Sequence, residues 1–371
     1  MFHIVGTILP TTHIHQTAPD RDGNENSTIK TRFFSEDKSS HLVPFVTANS
    51  IRGILRRMAA KIVLDNLGQP VSRSMFSVLT AGKGSRTEIG MQAPVHVMSA
   101  AATQVFAGLF GGGAYMHPSR YQMGPLFPVV EWCKRSIHPA LRDNGDMIPL
   151  DKLRWRQEDG MYRDISLTTK IILTSKDDVM AGKGAEYIEN YQASLGNWIA
   201  AVQDGRAAKA EQNAAKDAAK KRGEKADVEK GAKSVDISGF NIVEAILPGT
   251  PLQFWMRLNR TTDAQIGLML MAVRDWANAN VIGGASARGF GRFEASLALY
   301  DGERLIAPSL FNLSDHATAY TLSKDVEPFV KAAESALQSM TMDDLDLVYP
   351  SGDAASKKTK GKGKTEERSD D

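Results

Sequence analysis

The run Val43-Pro44-Phe45-Val46-Thr47-Ala48-Asn49-Ser50-Ile51-Arg52-Gly53-Ile54-Leu55-Arg56-Arg57-Met58 constrains this chain more than any other. A short apolar stretch leads into Asn49 and Ser50, whose side-chain oxygens suit the free amides of a helix's first turn. Behind them Ile51, Ile54, Leu55, Met58 and Ile62 recur at helical spacing, which predicts a helix over about 50–66 with one apolar face. Arg52 and Arg56 lie one turn apart on another face, followed by Arg57 and Lys61. A helix start has unpaired amides and the positive end of the dipole, so it seats a phosphate. Arginines one turn further in pair with the next phosphates along a strand. The plainer alternative is an amphipathic helix with a solvated basic face.

The 371 residues are enough for one large or two ordinary cores. A hydrophobic content of 42% and a charged content of 24% suit a soluble globular protein. No apolar run approaches the roughly 18 residues that span a membrane. The opening Met1-Phe2-His3-Ile4-Val5-Gly6 lacks a basic n-region and a small-residue cleavage site, so no signal peptide is expected. A single cysteine, Cys133, excludes an internal disulfide and a multi-cysteine zinc site. The expectation is a cytoplasmic protein without a cofactor.

The net charge of +2 becomes informative once divided. Residues 206–233 hold nine bases and five acids, and 351–371 hold six and five. The remainder carries 30 bases against 33 acids, about −3. Any nucleic-acid site on the folded body is therefore a local patch.

Along the chain, residues 2–9 read as a first strand and 29–34 as a second short one. Between them, His13 and His15 stand at i, i+2 and share a face. They are open to three readings: a metal pair, an RNA contact, or two surface histidines. Zinc sites need three or four protein ligands, and no third lies nearby in sequence. Asp20 and Asp22 beside Gly23 lack the later Glu that a calcium loop requires. Gly82-Lys83-Gly84-Ser85-Arg86 is a basic glycine turn without the Lys-Ser/Thr ending of a phosphate-binding Walker loop. Ile165–Leu173 is a strand by composition, and 176–184 is its loop or hairpin tip. Ala-Lys-Glu repeats over 207–233 suit an exposed helix or a disordered linker. Gly239–Leu247 and Leu252–Leu258 read as strands joined around Pro248-Gly249-Thr250, most simply as a hairpin. Thr262-Asp263-Ala264-Gln265 is a capping box opening a helix that closes at Asn278-Ala279-Asn280. A glycine loop, 283–291, then leads into a strand ending near Tyr300. Its glycines permit positive φ and close backbone approach, and Ser286 and Arg288 stand within it. A dinucleotide site is excluded because the loop joins helix to strand, the reverse of the order that fold uses. A last helix is expected over 325–340 and a disordered tail from 351. The order of elements indicates an α+β fold compatible with a ferredoxin-like sheet.

Three motifs in this order carry a family resemblance. Pro44–Arg56 resembles the proline–glycine–serine–serine–leucine–arginine–glycine signature of CRISPR-associated RAMP proteins. Ser50, Arg52 and Gly53 match it, with Ala48 or Asn49 where the family has glycine. Glu244–Phe254 resembles the family's Pro-Gly-Thr-x-Phe hairpin, and Gly283–Gly291 its C-terminal glycine-rich loop. Within the family the chain looks most like the backbone subunit of type IV effector complexes, supported by 6–15, 24–30 and 49–56.

The resemblance implies a modified RNA-recognition-motif palm, its first half in 1–66 and its second in 235–350. It implies a finger or helical insertion at 67–162 and a thumb hairpin at 163–186, with 187–234 as an enlargement beside the thumb. It implies copies stacked head-to-tail on a CRISPR RNA guide that pairs with target DNA, other effector subunits as partners, and no membrane contact. Ser50 and Arg52 would hold guide phosphates, and Ser286 and Arg288 neighbouring ones. His13, His15, Asn49, Arg56, Gly283 and Gly284 complete the expected RNA surface, together with Lys170, Lys176, Met180 and Lys183 of the thumb. Type III relatives cut target RNA with an aspartate in the loop after the first strand. Asn26, or less well Glu25, falls there, and Asn is not an anionic metal ligand. A non-catalytic role is therefore expected. The alternative is a metal-dependent endoribonuclease drawing on Asp20 or Asp22.

Overall fold

The computed structural model describes residues 1–22, 25–35, 38–83, 93–142, 147–157, 162–174, 240–313 and 319–350, with scattered residues between 185 and 211. It is a mixed α+β chain in two compact units. The first comprises Met1–Pro19, Ser27–Thr169 and Ala245–Asp371; the second comprises Asp20–Asn26 and Lys170–Glu244.

The first unit is built on a five-stranded sheet. In spatial order its strands are Arg304–Ala307, Phe293–Asp301, Phe2–Pro10, Leu252–Leu258 and Tyr121–Met123. All neighbours run antiparallel, and the central strand Phe2–Pro10 sets the frame: Ile4 faces Met256 on one side and Leu299 on the other. Side chains alternate across a strand, so Ile4 and Ile8 point to one face, where they join the main core with the helices.

The helices form for the reasons visible in their sequences. The opening helix, Ala48–Leu67, buries Ile51, Leu55, Ala59, Ala60 and Val63 at 3.6-residue spacing. Full burial of each Ile, Leu or Val side chain contributes about 1.5–3 kcal/mol. The helix stops at Gly68, whose φ of +62° suits a glycine cap. The helix Asp263–Ala279 has the expected capping box, Thr262 with Gln265, and ends at Asn280 in the left-handed region. It is apolar on most sides because it lies between the sheet, the opening helix and the helix Glu327–Gln338. Gln265 is fully buried, yet its Nε2 donates to the carbonyls of Ala102 (3.0 Å) and Gln104 (3.1 Å). Helices Arg73–Ala81 and Val95–Thr103 complete this layer, and a short helix, Met342–Val348, closes it.

A second core lies on the other sheet face. Val5 meets Val43, Val129, Trp132, Cys133, Ile137 and Leu141 there. Burial pushes the Cys133 thiol up to about 12, and it also pushes the Tyr349 phenol, in the main core, up to about 12. Both raised values keep the proton in the folded state. Their stabilising contribution is complete below the unfolded values, near 9 and 10, and is lost as pH climbs toward 12. A thiol reagent at pH 8 is expected to leave native Cys133 unmodified and to label it on unfolding. Fast stoichiometric labelling of the native protein would contradict the burial.

Two expectations change. Phe240–Ile246 and Leu252–Leu258 do not form a hairpin. Leu252–Leu258 has both edges taken, by Phe2–Ile8 and Tyr121–Met123. The turn at Gly249, φ +77°, is instead held by its amide on the Pro10 carbonyl at 2.8 Å. Tyr121–Met123, within the stretch read as an insertion, is a strand of the central sheet.

In the second unit, Glu25 and Asn26 pair in parallel with Ile242 and Val243. Lys170 ion-pairs with Glu25 at 2.6 Å, and that carboxylate holds the lysine above its usual range.

Candidate nucleic-acid interface

The opening helix begins two residues earlier than the spacing suggested. Thr47, not Asn49 or Ser50, is its N-cap: its φ and ψ of −68° and 142° are extended, and its hydroxyl accepts from the Ser50 amide at 3.3 Å. Threonine caps nearly as well as serine or asparagine, and the turn goes to the residue still in extended backbone. Asn49 and Ser50 thus occupy the second and third helical positions, with Asn49 exposed. The amides of Ala48 and Asn49 have no acceptor four residues back within the helix, the ordinary state of a first turn.

Released from capping, the Ser50 hydroxyl donates to Gln16 Oε1 at 3.0 Å. Gln16 is fastened in turn to Thr28: the Gln16 amide donates to Thr28 Oγ1 at 3.2 Å, and that hydroxyl donates to the Gln16 carbonyl at 3.1 Å. The segment before Gln16 carries the two histidines, and it is also the seat of the glycine loop. The Gly284 amide donates to the His15 carbonyl at 2.7 Å, and the Gly291 amide to the His13 carbonyl at 2.8 Å. Gly283 has φ +76°, and a Cβ there would lie 2.3 Å from the His15 carbonyl oxygen. Gly291 has φ +85°, and its Cβ would lie 2.2 Å from the Ile282 carbonyl. Both positions demand glycine, for handedness and for space.

One four-residue segment therefore couples two distant parts of the chain. His13 and His15 hold the loop at 283–291, and Gln16 holds the start of the helix at 48–67. Between Ala285 (φ +61°) and Gly289 (φ +82°), residues 286–288 form a tight 3-10 turn. Ser286 and Arg288 are exposed on it, and no acid among the described residues pairs with Arg288.

The histidines are placed differently from each other. His15 is buried, with Nε2 3.0 Å from Thr17 Oγ1. His13 is half-buried, with its ring centroid 6.0 Å from that of Phe290. They follow the first strand rather than lying in it, so the expected common exposed face is absent.

The arginines part company as well. Arg52 is half-buried, and its guanidinium carbon stands 5.1 Å from the Tyr121 ring centroid. Its Nε and Nη2 reach Tyr121 Oη and Ser119 Oγ only at 3.5 Å, leaving donor capacity unspent. Arg56 turns inward, and an expected phosphate contact there is corrected. It donates from Nε to the Leu79 carbonyl (2.8 Å), from Nη1 to Phe110 (3.0 Å), and from Nη2 to Val78 (2.7 Å) and Gly111 (2.9 Å). It also lies over the rings of Phe106 and Phe110. Desolvation brings its guanidinium below the usual value. Nothing in the i, i+4 spacing distinguishes the two; the carbonyls that end neighbouring helices do.

Gln16, Thr28, Ser119 and Tyr121 carried no signal in the sequence, because each acts through a residue remote in the chain. Lys170 is engaged by Glu25. Lys176, Met180 and Lys183 lie outside the described residues, as do most of 187–234 and all of 351–371.

A family model described as the RAMP superfamily matches residues 29–294. No curated protein matches the chain. Among solved structures, a chain of one titled "Type IV-B CRISPR Complex" is similar at 14% identity, with 80% of this chain and 90% of that chain covered and a TM-score of 0.46.

Proposed function

The chain belongs to the RAMP superfamily, and from that premise we propose that it is a multi-copy backbone subunit of a CRISPR effector, gripping the sugar-phosphate chain of the guide RNA. The observation that carries this reading is the coupling through His13–Gln16 of the capped basic helix and the Gly-Arg loop. Phosphates of one strand would meet the amides of Ala48 and Asn49, then Arg52, with Ser286 and Arg288 on the other side. The grip is on the backbone, so bases remain available for pairing with a target DNA strand, as in RNA-guided recognition generally. The sheet order supports the palm: the strands beginning at 293, 2, 252 and 121 follow the 4-1-3-2 arrangement of a ferredoxin-like or RNA-recognition-motif sheet, with a helix after the first and third. Head-to-tail copies and other effector subunits belong to the same reading.

The subunit would be a scaffold rather than a nuclease. At the position where type III relatives place an aspartate, Asn26 is uncharged and lies in strand pairing, and the Glu25 carboxylate is spent on Lys170.

Filter binding of CRISPR RNA across a salt series tests the grip. Arg52→Glu and Arg288→Glu are each expected to weaken binding about tenfold or more, and to make the salt slope shallower by about 0.7 for each phosphate no longer neutralised. Unchanged affinity in both variants would end the assignment. Complementary RNA incubated with the assembled complex and magnesium is expected to stay intact; regularly spaced cuts would overturn the scaffold role.

A further inference from the structure

The far end of the central strand, on the sheet face turned away from the main helices, holds a group of basic side chains with no assigned purpose. His3 is register-paired with Arg257 on one neighbouring strand and Tyr300 on the other. The His138 ring reaches in from the loop above, its centroid 6.4 Å from that of His3 and 6.4 Å from that of Trp255. Arg142 follows on the short helix Pro139–Arg142; its Nε donates to the Ile137 carbonyl at 2.8 Å and its Nη2 to the Arg135 carbonyl at 3.2 Å. The N-terminal amine is also near, but it is paired with Asp301 at 2.9 Å. Gln122, facing Arg257 from the edge strand, is uncharged.

Among the described residues no carboxylate pairs with His3, His138, Arg142 or Arg257. Arg257 Nε is buried and has no hydrogen-bond partner. A buried guanidinium nitrogen left unpaired costs free energy unless an acceptor arrives. Burial holds both imidazoles below their ordinary value, helped at His3 by Arg257 and at His138 by His3 and then Arg257. Two guanidiniums and two imidazoles that lack an acidic partner suit an anion, which would supply the missing acceptor.

We propose that His3, His138 and Arg257, with Arg142 at the rim, bind a phosphate group, and that Trp255 offers a ring to a base attached to it. The site is separate from the guide grip proposed above. His3 begins the central strand, whereas His13 and the glycine loop lie beyond its other end. An arriving phosphate anion favours both imidazolium forms, so binding takes up protons and tightens as pH falls.

The test follows the histidine ring signals by NMR in the intact protein, with three probes: inorganic phosphate, AMP and a short single-stranded RNA. Each effective probe is expected to raise the titration midpoints of His3 and His138 by about one unit, with affinity about tenfold greater near pH 5.5 than near pH 7.5. Equal responses to phosphate and AMP would assign a lone phosphate. A stronger AMP response accompanied by Trp255 fluorescence quenching would assign a nucleotide, and a response to RNA alone would assign a strand. His3→Gln/His138→Gln is expected to abolish the pH dependence, and Arg257→Gln the binding. Should Arg257→Gln fail to fold, the wild-type ring signals still decide. Indifference of both rings to all three probes overturns the proposal. Arg52→Glu/Arg288→Glu is expected to keep the phosphate response, which separates failure of this site from failure of the guide grip.

Discussion

Arg56→Ala is expected to lower stability by on the order of 3–5 kcal/mol, a larger loss than any substitution on the exposed basic face. The guanidinium closes four carbonyls, of Val78, Leu79, Phe110 and Gly111, drawn from the ends of two helices. Removing it strands acceptors that water reaches poorly, and it leaves a gap beside Phe106 and Phe110. The Tyr349 hydroxyl, which donates to the same Gly111 carbonyl at 3.0 Å, satisfies one of the four. Arg56→Lys is expected to recover little, because an ammonium cannot span the fork that the planar group spans. Denaturant unfolding, with exposed Arg57→Ala as control, is the measurement. The control should change stability by less than about 0.5 kcal/mol. Equal losses in the two variants would show that Arg56 is no staple.

Gly283→Val is expected to cost about 2–4 kcal/mol and, on the guide grip proposed above, to carry RNA affinity down with it, although residue 283 offers no charge. Two penalties combine. The backbone stands at φ +76°, where a branched side chain is strained, and the new Cβ would sit 2.3 Å from the His15 carbonyl oxygen. The segment His13–His15 and the loop must separate, breaking the Gly284–His15 hydrogen bond and moving the turn that carries Arg288. Gly289→Ala separates the two penalties: φ is +82° there, but nothing lies within 4 Å of the added carbon. It is expected to cost only the left-handed strain, about 1–2 kcal/mol, with near-normal binding in the folded fraction. Comparable weakening of binding in both variants would mean that the seat on His15 does not position the loop.

These cases show where sequence reasoning reached and where it stopped. The two long helices, the capping box at Thr262, the Asn280 stop and the need for glycines around 283–291 were legible, because each depends on residues within a few positions of one another. Thr47 as the cap was within reach, since Thr and Ser compete on nearly equal terms. Its selection depended on where the strand Ser40–Pro44, paired antiparallel with Lys30–Phe34, hands over to the helix.

Periodicity and local backbone chemistry determined which segments become helix or strand, and that a basic helix start and an Arg-bearing glycine turn exist at all. Only the tertiary structure decided that the two share the segment His13–Gln16. The same holds for Arg56 facing inward while Arg52 keeps donors to spare, and for Phe240–Ile246 leaving its apparent hairpin partner. The physical reason is that side-chain spacing records only which face of an element a residue occupies. What that face meets is set by carbonyls and strand edges supplied from elsewhere in the chain, whose unsatisfied hydrogen bonds choose among arrangements that local pattern leaves equivalent.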